Sequence, residues 1–196
     1  MKKLLKFSLV LAVVLTTAAT FAAPSDFSLF VKKVEGKTIH FSMNTLENME
    51  LSLYDSNDVL IHTENLSTGN ISRTYDLNSL PDGTYFLEAD STVKTARYEI
   101  TVSDKVANLS KKAVYEVYKP TLVNNKGLVT LSVLNFNESP IAVRIYDNDG
   151  IELYEGKFDS KVSFFKKFDI SSIPATGCVF EISYADKIFT QTVATK

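Results

Sequence analysis

The sequence predicts an all-β chain: two tandem seven-stranded β-sandwiches behind an N-terminal export signal. Apolar and polar residues alternate with a period of two in short runs, and no helical period appears. Those runs are evenly spaced and separated by turn residues, as in a sandwich. One stretch is also written twice. Tyr54-Asp-Ser-Asn-Asp58 followed by Tyr75-Asp-Leu-Asn-Ser-Leu-Pro-Asp-Gly-Thr-Tyr85 is echoed by Tyr146-Asp-Asn-Asp-Gly150 and Phe168-Asp-Ile-Ser-Ser-Ile-Pro174. The pairs Asp76 and Asp169, Pro81 and Pro174, and Glu88 and Glu181 each lie 93 residues apart. A repeat of domain size implies two similar folded units rather than a solenoid.

Residues 1–23 read as a secretory signal peptide. Lys2, Lys3 and Lys6 precede the apolar run Leu9-Val-Leu-Ala-Val-Val-Leu15, and small residues lead to Ala22, Ala23 and Pro24. The run is well short of the ~20 residues that a spanning helix needs, so the membrane is expected to matter only during export. Loss of the leader takes the 21 basic residues to 18 against 23 acidic ones, leaving a formal charge of about −5 with its basic residues scattered. That distribution argues against nucleic acid as a partner. The one cysteine, Cys178, excludes an intramolecular disulfide, so core packing must hold each unit.

The first unit is expected over 24–104. Its strands are predicted over Phe27–Val34, which mixes alternating and continuous apolar character, and over Thr38–Met43, Met49–Tyr54, Val59–His62, Ile71–Leu77, Thr84–Asp90 and Ala96–Val102. Seven is the strand count of the smaller immunoglobulin-like and fibronectin-like sandwiches. Between the fifth and sixth strands, Pro81 presets the second position of a turn, and Gly83 suits its exit. Tyr85 enters the next strand, placed to return its hydroxyl to an upstream carbonyl as a tyrosine corner. A short polar linker is expected over 105–112.

The second unit, 113–196, repeats the plan with strands over Ala113–Lys119, Leu128–Phe136, Ile141–Tyr146, Ile151–Lys157, Val162–Ile170, Cys178–Tyr184 and Lys187–Val193. Asp147-Asn-Asp-Gly150 is a hairpin signal, since glycine accepts the positive φ of a tight turn.

No residue is expected to serve catalysis, a cofactor or a metal. Asp55, Asn57 and Asp58, like Asp147, Asp149 and Glu152, supply too few oxygens at the wrong spacing for a calcium loop and read as turns. His40 and His62 each stand alone on a strand and read as surface residues. Cys178 falls where the repeat puts Tyr85, in a unit without histidine, and reads as a small, partly buried side chain. Ile173-Pro-Ala-Thr-Gly177 looks like a sortase signal but lacks its leucine and any following membrane span, so it also reads as a turn. Phe164 and Phe165 are consecutive in a strand and cannot both face inward. Phe165 pairs with Ser72 in the repeat and is expected on the outer face.

The pattern Tyr54-Asp-Ser-Asn-Asp-Val-Leu60, Asp76-Leu-Asn-Ser-Leu-Pro-Asp-Gly-Thr-Tyr85 and Tyr98-Glu-Ile-Thr-Val102 resembles the small β-sandwich domains of secreted Bacteroidota proteins. It is similar in particular to the C-terminal sorting domains of type IX secretion cargo. The resemblance covers 27–104 well and 113–196 less closely, because Ala175-Thr-Gly-Cys178 replaces the Asp-Gly-Thr-Tyr corner. It implies export, with recognition of a terminal domain by an outer-membrane translocon.

The expectation is therefore an exported, non-enzymatic protein acting through protein contacts in the periplasm, at the cell surface or outside the cell. The alternatives are a type IX cargo whose terminal unit is its sorting domain, and a carbohydrate-binding or adhesion module. Protein partners or secretion machinery are expected, and any small-molecule ligand is left open.

Overall fold

The computed structural model describes residues 26–159, 162–173 and 177–194. The expected signal peptide, 1–23, and the second corner, 174–176, lie outside the described residues. Among these, every regular element is a strand: β1 Phe27–Glu35, β2 Thr38–Thr45, β3 Met49–Asp55, β4 Leu60–Leu66, β5 Gly69–Asp76, β6 Gly83–Asp90, β7 Lys94–Ser103, β8 Val106–Leu109, β9 Tyr115–Tyr118, β10 Thr121–Asn125, β11 Leu128–Leu134, β12 Ile141–Asp147, β13 Glu152–Phe158, β14 Ser163–Asp169, β15 Gly177–Tyr184 and β16 Lys187–Ala194. All pairs are antiparallel.

Period-two patterning decides which side chains go inside. In β6, Tyr85, Leu87 and Ala89 are buried and alternate with half-exposed Thr84, Phe86 and Glu88. A first core unites such residues from the sheet β1-β2-β5 with those of β4-β3-β6-β7-β8, around Phe27, Phe41, Met43, Leu51, Leu87 and Ile100. A second lies between β10-β11-β14 and β13-β12-β15-β16, around Val129, Leu131, Ile141, Val143, Phe180 and Ile182. Fully burying one such side chain contributes roughly 1.5–3 kcal/mol, and the two sandwich-like cores depend on many of them.

The junction departs from the expected plan. The 105–112 segment contains β8, which pairs with β7 and buries Ala107 and Leu109 in the first core. It is therefore largely a strand of the first sandwich and not a linker. The expected first strand of the second unit shortens to β9, which pairs with β7 while its Val117 is buried in the second core. One strand thus joins both cores. Tyr115 donates its hydroxyl to the Ala185 carbonyl at 2.5 Å, Gln191 donates to the Pro120 carbonyl at 2.8 Å, and Tyr184 donates to the Tyr118 carbonyl. β10 was not expected either. It reaches β11 through Lys126 and Gly127, both at positive φ (53° and 89°), the conformation of a tight primed turn.

Candidate functional site

The open flank of the first sandwich brings the edge strands β4 and β5 together. In β4, His62 and Glu64 lie opposite buried Leu53 and Leu51 of β3; in β5, Arg73 and Tyr75 lie opposite buried Phe41 and Ile39 of β2. Alternation therefore turns four polar or amphipathic side chains toward the interior, at positions that carry core residues elsewhere. They satisfy one another. Arg73 Nε donates to Glu64 Oε2 at 2.6 Å, and the Tyr75 hydroxyl donates to Glu64 Oε1 at 3.0 Å. The Tyr75 ring meets Phe41 edge-on at 5.3 Å and His62 at 5.9 Å. Burial first, and then the neighbouring Glu64 carboxylate, raise the Tyr75 phenol well above its ordinary pKa and keep it a neutral donor. The resulting cleft has a volume of about 460 Å³, with Leu53 and Leu77 among its apolar walls.

The corresponding flank of the second sandwich is closed differently. Tyr154 and Phe168 meet edge-on at 5.3 Å, Phe158 and Phe164 lie 5.0 Å apart, and the Lys166 ammonium sits 5.3 Å from the Phe158 ring centroid. Gly156 lies opposite Val143 of β12 as Glu64 lies opposite Leu51 of β3. An added Cβ there would meet the Tyr154 hydroxyl at 2.3 Å, so the missing side chain is what admits the tyrosine. Rings seal this edge, whereas hydrogen-bonding groups line the other. Inward charge at a sheet edge opposes indiscriminate strand pairing, which suits the first cleft to selective polar contact.

Both edge strands are bulged at matching places: Ile61 in β4 and Leu153 in β13 are extra residues in their ladders. The acidic turns before them also match. Asp55 Oδ1 accepts the Asn57 and Val59 N–H groups at 2.8 and 2.9 Å, and Asp147 Oδ1 accepts those of Asp149 and Ile151 at 2.9 and 2.8 Å. These carboxylates are engaged in holding their own turns.

The other singled-out residues are dispersed. Tyr85 donates its hydroxyl to the Pro81 carbonyl at 2.8 Å, forming the expected corner. His40 is half-exposed, with Nδ1 2.8 Å from Thr74 Oγ1, and His62 borders the cleft. Cys178 is fully buried, beyond the partial burial expected, and burial raises its thiol pKa. Phe165 is outward-facing and 69% exposed, while Phe164 packs inward. Glu64, Arg73 and Tyr75 were not singled out from the sequence. Their signal was the shared phase of Arg73 and Tyr75 with apolar Ile71 along one alternating strand.

The cleft, the corner and the first acidic turn all fall within one segment. Residues 35–103 match the family model of the secretion system C-terminal sorting domain. The sorting-domain match runs from the last residue of β1 through β7, and so covers the repeat copy with the complete corner. It implies export to the cell surface or extracellular space and interaction with type IX secretion machinery. Among solved structures, a Lactobacillus rhamnosus beta-glucuronidase is 10% identical with a TM-score of 0.29, over 82% of this chain and 36% of that one. A Parabacteroides merdae beta-glucuronidase is 11% identical with a TM-score of 0.26, over 84% of this chain and 28% of that one. The chain thus spans about a third of their length. No curated protein matches the chain.

Proposed function

We propose that this chain is an exported, non-enzymatic type IX secretion cargo in which the unit matched by the sorting family engages the secretion machinery. The observation that carries the reading is the match over 35–103. The β4–β5 cleft supports it by offering polar contacts on a sheet edge that resists unselective pairing. The leader at 1–23 takes the chain across the inner membrane, and protein contacts do the rest of the work.

A test is to attach residues 24–112 or residues 113–196 behind the leader to a passive reporter in a host with type IX secretion, and to measure the reporter at the surface and in the medium. Export with 24–112, lost when the machinery is disabled, supports the reading. Export with 113–196 alone supports a second reading, in which the terminal copy is the sorting signal. That alternative is favoured by the bulge and acidic turn the terminal copy shares with the first. Retention of both fusions would refute secretion cargo altogether.

A further inference from the structure

We propose that the groove at the junction of the two cores binds a neutral sugar ring. Its floor is the outer face of the β6–β7 pair, where Glu88 lies opposite Arg97, and Arg97 lies opposite Tyr115 of β9. Its far wall is the β15–β16 turn with Asp186 and Lys187, and the volume between is about 270 Å³. The Arg97 guanidinium carbon is 5.1 Å from the Phe86 ring centroid and 5.3 Å from that of Tyr54. Arg97 Nε donates to Glu88 at 3.0 Å and Nη1 donates to Asp58 at 2.7 Å, so the guanidinium is fixed before any ligand arrives. Tyr115 is held by its bond to the Ala185 carbonyl, which ties the far wall to the floor.

The chemistry of this lining selects the ligand class. Phe86 and Tyr115 present half-exposed rings to which the C–H face of a sugar can stack. Glu88 and Asp186 accept hydrogen bonds and Arg97 and Lys187 donate them, so the groove carries two acids and two bases and favours neither anion nor cation. Hydroxyl groups, which both donate and accept, satisfy such a set better than a charged ligand does. The volume lies just under the range of drug-sized pockets, which suits one ring or a chain end rather than a folded partner.

The test uses the mature chain, residues 24–196, titrated by NMR with a panel of neutral monosaccharides and short oligosaccharides. Saturable shifts centred on Arg97, Tyr115 and Lys187 are expected for at least one sugar. Phe86→Ala should weaken that binding about tenfold, with the thermal midpoint reporting whether the fold is retained. Lys187→Ala, at the half-exposed first residue of β16, supplies a second variant outside the β6–β7 sheet and should also weaken binding. Phe165→Ala, on another sheet, should leave it unchanged. The proposal is overturned if no sugar in the panel binds at millimolar concentration, if both groove variants bind like the parent, or if the shifts map elsewhere.

Discussion

Tyr85 and Cys178 occupy matching positions: Tyr85 pairs across the sheet with Asp55, and Cys178 with Asp147, at the mouths of the two acidic turns. Only Tyr85 can reach back to its corner, through the 2.8 Å bond to the Pro81 carbonyl. Tyr85→Phe should therefore lower the stability of the first sandwich by about 1 kcal/mol, the net worth of a hydrogen bond. Urea unfolding of the parent and variant measures this. An unchanged midpoint would mean that the ring alone holds the corner.

Cys178 has become core instead. With its thiol fully buried and its pKa raised by desolvation, little nucleophilic thiolate is available. A maleimide reagent at neutral pH should label the native protein far more slowly than the urea-unfolded chain. Rapid labelling of the folded protein would contradict the packing.

Glu64 accepts from both Arg73 and Tyr75, so Glu64→Ala leaves two donors without that partner. A cost of about 1–2 kcal/mol is expected, held down by water reaching this half-exposed edge. Tyr75→Phe removes only one bond and should cost less. Urea unfolding of both variants checks the order, and the reverse order would show that Glu64 is not the hub of the cleft.

Gly127 combines φ of 89° with a backbone approach that would put an added Cβ 2.9 Å from Ser171 Cβ and 3.0 Å from Ser171 Cα. Gly150 has φ of 80° but open space around it. Gly127→Ala should cost about 2–3 kcal/mol and Gly150→Ala about 1 kcal/mol, since both pay the left-handed penalty and only the first meets a clash. Thermal unfolding of the pair separates the two effects.

Asp76 and Asp169 each begin a turn and accept the backbone N–H two residues on, from Asn78 and Ser171, both at 3.0 Å. For Asp76 that backbone bond is the leading cause of a carboxyl pKa below its usual value, followed by the Asn78 side chain; for Asp169 the Ser171 hydroxyl leads, followed by its N–H. A depressed folded-state pKa stabilises the fold above the unfolded pKa, and this contribution is lost as pH falls through the folded value. Replacing both with asparagine should flatten the decline in stability below about pH 4, as read from urea midpoints across an acid series. An unaltered acid limb would show that these turns do not contribute to it.

Much of the fold was legible because alternation was strong where strands were half-buried: β3, β6, β11 and β12 show it directly. β8 was missed because Ala107 and Leu109 give only two apolar beats inside a polar stretch, and their burial depends on β7 lying alongside. β10 was missed for a related reason, since Thr121–Asn125 ends in two asparagines and gains its place from β11. The corner was readable because a turn and a tyrosine four residues apart are local in sequence. The cleft was not: Glu64 and Arg73 belong to different sheets, and only the facing of two edges reveals that they meet. The junction groove assembles Arg97, Tyr115 and Lys187 from three strands and was equally invisible.

The most direct test of the central claim is to fractionate the native organism and measure the mass of the protein in each compartment. The account predicts a chain beginning near residue 23 or 24, retaining 35–103, at the cell surface or in the medium. A protein found only inside the cell with its leader intact would contradict it.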